Sequence, residues 1–292
     1  MFKNFINKNI SSVNDLNTLI FAQNSNVIYK SKNNNEEIIA ENFDGIWLDI
    51  DKIKKVHSSS LPLDSVVLSY WKCCFLNCQY CVDDKIDELL NVYHYDIMPF
   101  IVQLIDVGLI EKKTKIIFTC GDATLHPEFD KLLYYLINYG MKDIVLYTSA
   151  MRYCYSVAEA MAKEVLKTNI SFDSGCPYIY EKIKGINKFD IAFSNIKKYI
   201  DFLGRGSKQI VLSYTLVKGI NDNTKEIIDW FMLFKNQGVV EFSFDIDEKW
   251  YNELSGSMPA YLVDIFKFVK ELSEINNLTI RFSDKIEKLL RK

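Results

Sequence analysis

From Asp64 onward the chain alternates short apolar segments of strand type with longer segments whose apolar residues recur at helical spacing. Such alternation restricts the fold to repeated βα units around a parallel sheet. The strand segments fall at 65–70, 115–119, 143–147, 169–172, 209–217 and 239–244. The spacing predicts helices over 98–108, 127–140, 157–167, 190–203, 224–237 and 260–276, with Pro127 in a first turn and Gly140 as a C-terminal cap. A last short strand at 278–282 closes or flanks the sheet. Six such units are too few for a closed eight-fold barrel. The expected architecture is therefore α/β, a partial (β/α)6 TIM-like open barrel with right-handed connections. Active-site residues then belong at the C-terminal ends of the strands.

Residues 1–62 read differently. They are rich in Asn, Lys and Ser, with polar breaks such as Lys32-Asn33-Asn34-Asn35 between short apolar runs at 26–29 and 45–50. This is an N-terminal extension with a hairpin, and it bears no functional signature. The expected division is 1–62 as the extension and 63–292 as the partial barrel with its C-terminal helices. The net charge of -3 comes from 35 basic and 38 acidic residues interspersed along the chain, so nucleic acid is not expected as the principal partner. No apolar run has signal-peptide or membrane-spanning length, and the chain reads as soluble and cytoplasmic. That compartment keeps thiols reduced, so the seven cysteines point to metal binding or chemistry rather than to disulfides.

Four of the seven lie between Cys73 and Cys81. The run Cys74-Phe-Leu-Asn-Cys78-Gln-Tyr-Cys81 begins in the loop after the first barrel strand, where the barrel rule places active-site residues. Thiolates ligate iron–sulfur clusters, and three of them in a tight loop hold three corners of a cubane and leave the fourth iron open. The alternatives are a structural zinc site, which wants four closed ligands, or an electron-transfer cluster that also uses Cys73. No second CxxC or HxxxH pair follows downstream.

The Cys-x3-Cys-x2-Cys pattern, with Tyr80 before its last cysteine, resembles the radical S-adenosylmethionine (radical SAM) superfamily. At the end of the second strand, Phe118-Thr119-Cys120-Gly121-Asp122-Ala123-Thr124-Leu125-His126-Pro127 is similar to the family's glycine–glycine–glutamate segment. Cys120 stands where the first glycine is usual and Asp122 where glutamate is usual. The resemblance implies that Gly121 and Asp122 approach the amino group of the methionine moiety. After the fourth strand, Ile170-Ser171-Phe172-Asp173-Ser174-Gly175 leads into Tyr180-Glu181-Lys182-Ile183-Lys184-Gly185, similar to the family's strand-to-helix segment. There the resemblance aims Ser171 and Asp173 at the cofactor's ribose or carboxylate and places Tyr80 near the adenine. Val217-Lys218-Gly219-Ile220-Asn221-Asp222 looks like the next loop, so the likeness covers about residues 65–250.

What the resemblance implies is an enzyme with a [4Fe–4S] cluster on Cys74, Cys78 and Cys81 and S-adenosylmethionine as cofactors. It would cleave S-adenosylmethionine reductively to a 5′-deoxyadenosyl radical that abstracts a hydrogen atom from a substrate. A one-electron donor such as a flavodoxin or ferredoxin is implied as partner. Many peptide-modifying relatives carry a cysteine-rich C-terminal extension, and no cysteine follows Cys176 here. A small-molecule substrate is therefore favoured, with a peptide-modifying enzyme and a plain iron–sulfur electron carrier as the alternatives.

Other candidate residues have ordinary explanations beside functional ones. Cys73 is expected to face away from the cluster, and neither it nor its neighbour Lys72 is expected to have a functional role. Cys120, Cys154 and Cys176 fall at or just after strand ends and are small apolar fillers taken singly. As a set they could ligate a second cluster, and Cys176 is the candidate hydrogen-atom donor to a substrate radical, as an epimerase would need. His126 reads as a helix-start packing residue. Asp245 and Asp247 are either solvated acids or substrate contacts.

Overall fold

The computed structural model describes residues 18–22, 27–32, 35–40, 62–69, 74–81, 97–106, 108–119, 121–254 and 258–291. Lys72, Cys73, Cys120 and the 45–50 run lie outside the described residues. The chain divides into two compact units, one made of 1–74, 85–147 and 154–167, the other of 75–84, 148–153 and 168–292.

In the first unit, β1 (Thr18–Ala22), β2 (Val27–Lys32) and β3 (Asn35–Ala40) pair antiparallel in succession. β1 also pairs parallel with β4 (Ser65–Ser69), which pairs parallel with β5 (Lys115–Phe118), and β5 with β6 (Ile144–Thr148). Three helices follow the last three strands: α1 (Met98–Asp106), α2 (Phe129–Tyr139) and α3 (Tyr155–Ala162). Val66, Leu68, Ile116 and Phe118 are fully buried, because a parallel strand covered by helices must be apolar on its helix side. Phe118 meets Phe129 edge to face with ring centroids 5.4 Å apart.

In the second unit, β7 (Leu166–Ser171), β8 (Ile210–Leu216), β9 (Glu241–Ile246) and β10 (Thr279–Phe282) pair parallel in that order. The connecting helices are α4 (Pro177–Lys184), α5 (Phe189–Leu203), α6 (Thr224–Gln237), α7 (Glu248–Glu253) and α8 (Ala260–Ile275), and α9 (Asp284–Leu290) follows β10. Aromatic side chains bind sheet to helices. Trp230 of α6 packs on Tyr214, Phe242 and Phe244 at 4.8, 5.5 and 5.5 Å between ring centroids. Phe172 touches Tyr180, Phe189 and Phe234 at 5.0, 4.9 and 5.0 Å. The register Ser171↔Ser213↔Ser243 puts three serines on one face of this sheet, while Ile170↔Leu212↔Phe242 forms the adjacent row on the other.

Parallel strands alternating with helices from β4 to β10 give the open, partial barrel that the periodicity predicts, with β10 flanking the sheet as a further parallel strand. The largest boundary difference from the sequence reading lies at 155–171, and the helices at 177–184, 248–253 and 284–290 are absent from it. The helix predicted over 157–167 runs instead from Tyr155 to Ala162, and β7 starts at Leu166. Glu164 takes a left-handed φ of 57° and ends the helix, and the period-two burial of 166–171 then identifies a strand that helical spacing obscured. Pro127 lies outside α2, whose N-cap is Glu128, whereas Gly140 caps its C-terminus by donating to Leu136 and Ile137 carbonyls. Among the described residues no helix is long and apolar enough to cross a membrane.

Asn223 starts α6 as the local sequence demands, its Oδ1 accepting the Glu226 amide at 3.0 Å. Asn223→Ala is expected to reduce unfolding free energy by about 1 kcal/mol. The urea midpoint should fall with its slope unchanged.

Candidate functional site

The loop carrying Cys78, Tyr80 and Cys81 lies in the second unit, against the end of α4. A helix leaves its last carbonyls without intrahelical partners. Here Gln79 N donates to Ile183 O at 2.9 Å and Asn77 N donates to Lys184 O at 2.7 Å. Cys81 N closes a turn onto Cys78 O at 3.1 Å. Gly185 caps the helix with φ 71°, and a Cβ there would lie 2.6 Å from Asn77 O. Only glycine allows this approach without displacing the loop.

Beneath the loop is a buried polar network. Lys184 Nζ donates to Tyr80 OH at 2.7 Å and to Ser171 Oγ at 2.9 Å, and it pairs with Asp173 Oδ2. The Lys184 and Asp173 side chains are 1% and 0% exposed. Tyr80 OH donates to Asp173 Oδ2 at 2.5 Å and lies 2.8 Å from Ser171 Oγ. The other carboxylate oxygen of Asp173 accepts the Thr215 amide at 2.6 Å. Asn221 fastens the same region by donating to the Asp173 and Thr215 carbonyls, both at 2.9 Å, and accepting from Val217 N at 2.7 Å.

Electrostatics follow from this burial. Desolvation, the largest single influence, pulls the Lys184 ammonium down, but Asp173 together with Tyr80, Cys78 and Tyr180 outweighs it and the ammonium is held well above the usual lysine range. Burial, then Asp173, push the Tyr80 phenol well up. Burial also raises the Cys78 thiol, and the nearby Lys184 charge opposes that rise.

The structure therefore brings Tyr80, Ser171 and Asp173 together, with Asp173 engaged by protein donors on both oxygens. In the first unit, Gly121 takes φ 55° and leads into a short 3-10 turn, Ala123–Leu125, capped by Asp122. Asp122 is fully buried and its Oδ1 accepts Thr124 N at 3.2 Å and Thr124 Oγ1 at 2.7 Å. His126 packs at the start of α2, its Nδ1 accepting Glu128 N at 3.0 Å. Cys154 is buried at the N-cap of α3.

Cys176 is half-buried at the N-cap of α4. Its amide donates to Ser174 Oγ at 3.0 Å, and that hydroxyl donates to Glu226 at 2.5 Å. Asp247 caps α7 by accepting Trp250 N at 3.4 Å. Asp245 lies 3.8 Å from Lys285 Nζ, which also pairs with Glu248 at 2.9 Å.

Sequence reasoning missed Lys184, Thr215, Asn221 and Glu226. Only Lys184 left a readable signal. It stands four residues after Tyr180 on the buried stripe of α4 that also includes Ile183, where an apolar residue would be ordinary.

The donor set suits an iron–sulfur cluster. Cys74, Cys78 and Cys81 are unbridged thiols, the first two half-buried and the last exposed. Among the described residues no three of His, Cys, Asp or Glu lie close enough to share one ion. A cubane does not need that, since each thiolate takes its own iron.

Comparison with known proteins agrees. The family model described as the radical SAM superfamily matches residues 68–231. GTP 3',8-cyclase of Haemophilus influenzae is 26% identical over 154 residues, 52% of this chain and 45% of that protein. GTP 3',8-cyclase of Staphylococcus saprophyticus is 25% identical over 183 residues, 61% of this chain and 52% of that protein. The chain thus spans about half the length of the curated relatives it matches.

Among solved structures, Streptococcus suis SuiB bound to precursor peptide SuiA matches with a TM-score of 0.57 at 15% identity, over 84% of this chain and 57% of that one. Native anSMEcpe with bound AdoMet matches with a TM-score of 0.52 at 16% identity, over 75% of this chain and 63% of that one. Likeness at such identity shows the fold, a partial barrel.

Proposed function

The chain belongs to the radical SAM superfamily, an enzyme family using a [4Fe–4S] cluster and S-adenosylmethionine, and we propose that Cys74, Cys78 and Cys81 hold the cluster for hydrogen abstraction from a small polar molecule. When bound, the cluster and S-adenosylmethionine supply the electron and the 5′-deoxyadenosyl radical. The observation that carries the reading is the seating of the Cys78–Cys81 loop, by two backbone hydrogen bonds and a buried lysine, next to the strand-end residues Ser171 and Asp173. An electron carrier has no need of that strand-end machinery.

Each residue has a distinct task in this reading. Gly121 allows close backbone approach to the methionine moiety, and Asp122, buried and capping the turn that follows, fixes that backbone for the amino group. Tyr80, its hydroxyl held by Lys184 and Asp173, turns its half-buried ring toward the nucleoside half, beside Ser171. Asp173 acts through them, because its own oxygens are engaged by Lys184, Tyr80 and Thr215. A flavodoxin or ferredoxin supplies the electron. Cys176 remains the candidate for returning hydrogen to a substrate radical.

Two observations favour a small polar substrate. The face of the second unit's sheet that bears Ser171 also carries Ser213, Ser243 and Asp245. Two relatives that it resembles at 26% and 25% identity are GTP 3',8-cyclases by name, so GTP is the first compound to try.

The test is anaerobic reconstitution with iron and sulfide, chemical reduction, and measurement of 5′-deoxyadenosine on adding S-adenosylmethionine with nucleotides, sugars, amino acids or peptides. Deoxyadenosine accelerated by one class of small molecule is the expected result. Acceleration by peptides alone would overturn the substrate class. An assembled cluster that never cleaves the cofactor would overturn the radical chemistry.

A further inference from the structure

We infer that the Lys184–Gly185 end of α4 is the seat of the cluster loop, with Lys184 a positioning residue that sets Tyr80 and thereby the direction of Cys78 and Cys81. This rests on the reading of Cys78 and Cys81 as cluster ligands.

The last turn of α4 offers carbonyls that the helix cannot satisfy. Asn77 N and Gln79 N, flanking Cys78, meet two successive carbonyls, those of Lys184 and Ile183. The amides also place partial positive charge at the negative end of the helix.

Gly185 makes the contact close. Its φ of 71° turns the chain away, and a methyl group there would meet Asn77 O at 2.6 Å and Asn77 Cβ at 2.8 Å. Neither atom is the free end of a flexible side chain, so the loop itself would have to move.

Lys184 supplies the third attachment. Its Nζ lies 5.2 Å from the centre of the Tyr80 ring and bonds the phenol oxygen, while Ser171 and Asp173 tie the same nitrogen to the end of β7. Tyr80 stands between two ligand cysteines, so anchoring its phenol oxygen restrains the stretch of backbone from which both project. A lysine this deeply buried is justified by a fixed partner set, not by packing alone.

The test pairs Gly185→Ala with Gly204→Ala. Both glycines have left-handed φ, 71° and 85°, but a Cβ on Gly204 meets nothing within 4 Å. Backbone strain is present in both and greater at Gly204, whose ψ of 154° lies outside the left-handed well that Gly185 occupies at ψ 4°, whereas loop displacement belongs to Gly185 alone. Gly185→Ala is expected to weaken retention of iron by roughly 10–100-fold, as loss of an outer-shell support does, with Gly204→Ala loading as wild type.

Tyr80→Phe, which removes only the hydroxyl, should shift the electron paramagnetic resonance spectrum of the reduced cluster. Lys184→Met should shift it too, and Lys184→Arg should restore most of the wild-type spectrum. Full iron retention by Gly185→Ala, or spectra unchanged in Tyr80→Phe and Lys184→Met, would overturn the seat. If Cys78→Ala also retains full iron, it is the ligand assignment that fails instead.

Discussion

Cys78→Ala protein, reconstituted anaerobically beside the wild type, is expected to lose its cluster and to form no 5′-deoxyadenosine above the blank. Three thiolates are the minimum that hold a cubane and leave one iron open. Removing one leaves two thiols, Cys74 and Cys81, the latter exposed to water. The loss should exceed the roughly 10–100-fold in affinity that follows removal of an outer-shell partner. Iron and sulfide analysis with the visible absorption band reads the effect directly. Intact folding is checked by the thermal midpoint, since Cys78 is half-buried and its replacement by a residue of similar size opens little volume. A Cys78→Ala protein with full iron and an unchanged spectrum would remove the premise of the proposed function.

Much of the candidate site was legible because the proposed chemistry calls for particular residue types at short spacing. Cys74, Cys78 and Cys81 are such a set, and so are Gly121 with Asp122 and Ser171 with Asp173. The strands were legible wherever their apolar residues stood clear of the next helix, as at Ser65–Ser69 and Lys115–Phe118. The misplaced end of α3 shows the opposite case. Residues 163–167 continue a helical spacing by composition, and the left-handed Glu164 that stops the helix has no glycine to announce it.

The long-range partners were illegible for a different reason. Lys184 is 104 positions from Tyr80, and Asn221 is 48 from Asp173. Neither periodicity nor local spacing carries such a pairing. Asp173 itself was legible as a strand-end acid, but its saturation by protein donors was not. An acid engaged by Lys184, Tyr80 and Thr215 orders its neighbours, and a free acid would contact a ligand.

Asp173→Ala should then be the most destabilising single change in this network. It leaves the Lys184 ammonium buried at 1% exposure with only the Tyr80 and Ser171 oxygens. Breaking a buried ion pair by removing one partner costs about 3–5 kcal/mol. For a chain of this size the midpoint should fall on the order of 10 °C. Lys184 is held above its ordinary range, so the pair's contribution is complete below that range and is lost only as pH rises through the raised value. The fall in midpoint should therefore be constant across neutral pH.

The double variant Asp173→Ala/Lys184→Met separates charge from shape. With both charges gone, most of the stability should return, because a buried pair replaced by apolar groups is near neutral. It should not return fully, since the Thr215 amide loses its acceptor and an unsatisfied buried donor costs about 1–3 kcal/mol. Iron retention should stay low in the double variant, because a thioether in place of the ammonium has no proton to donate to the Tyr80 hydroxyl. Stability restored together with iron would mean that the lysine serves the fold alone. Stability restored without iron would assign the buried charge to the cluster loop.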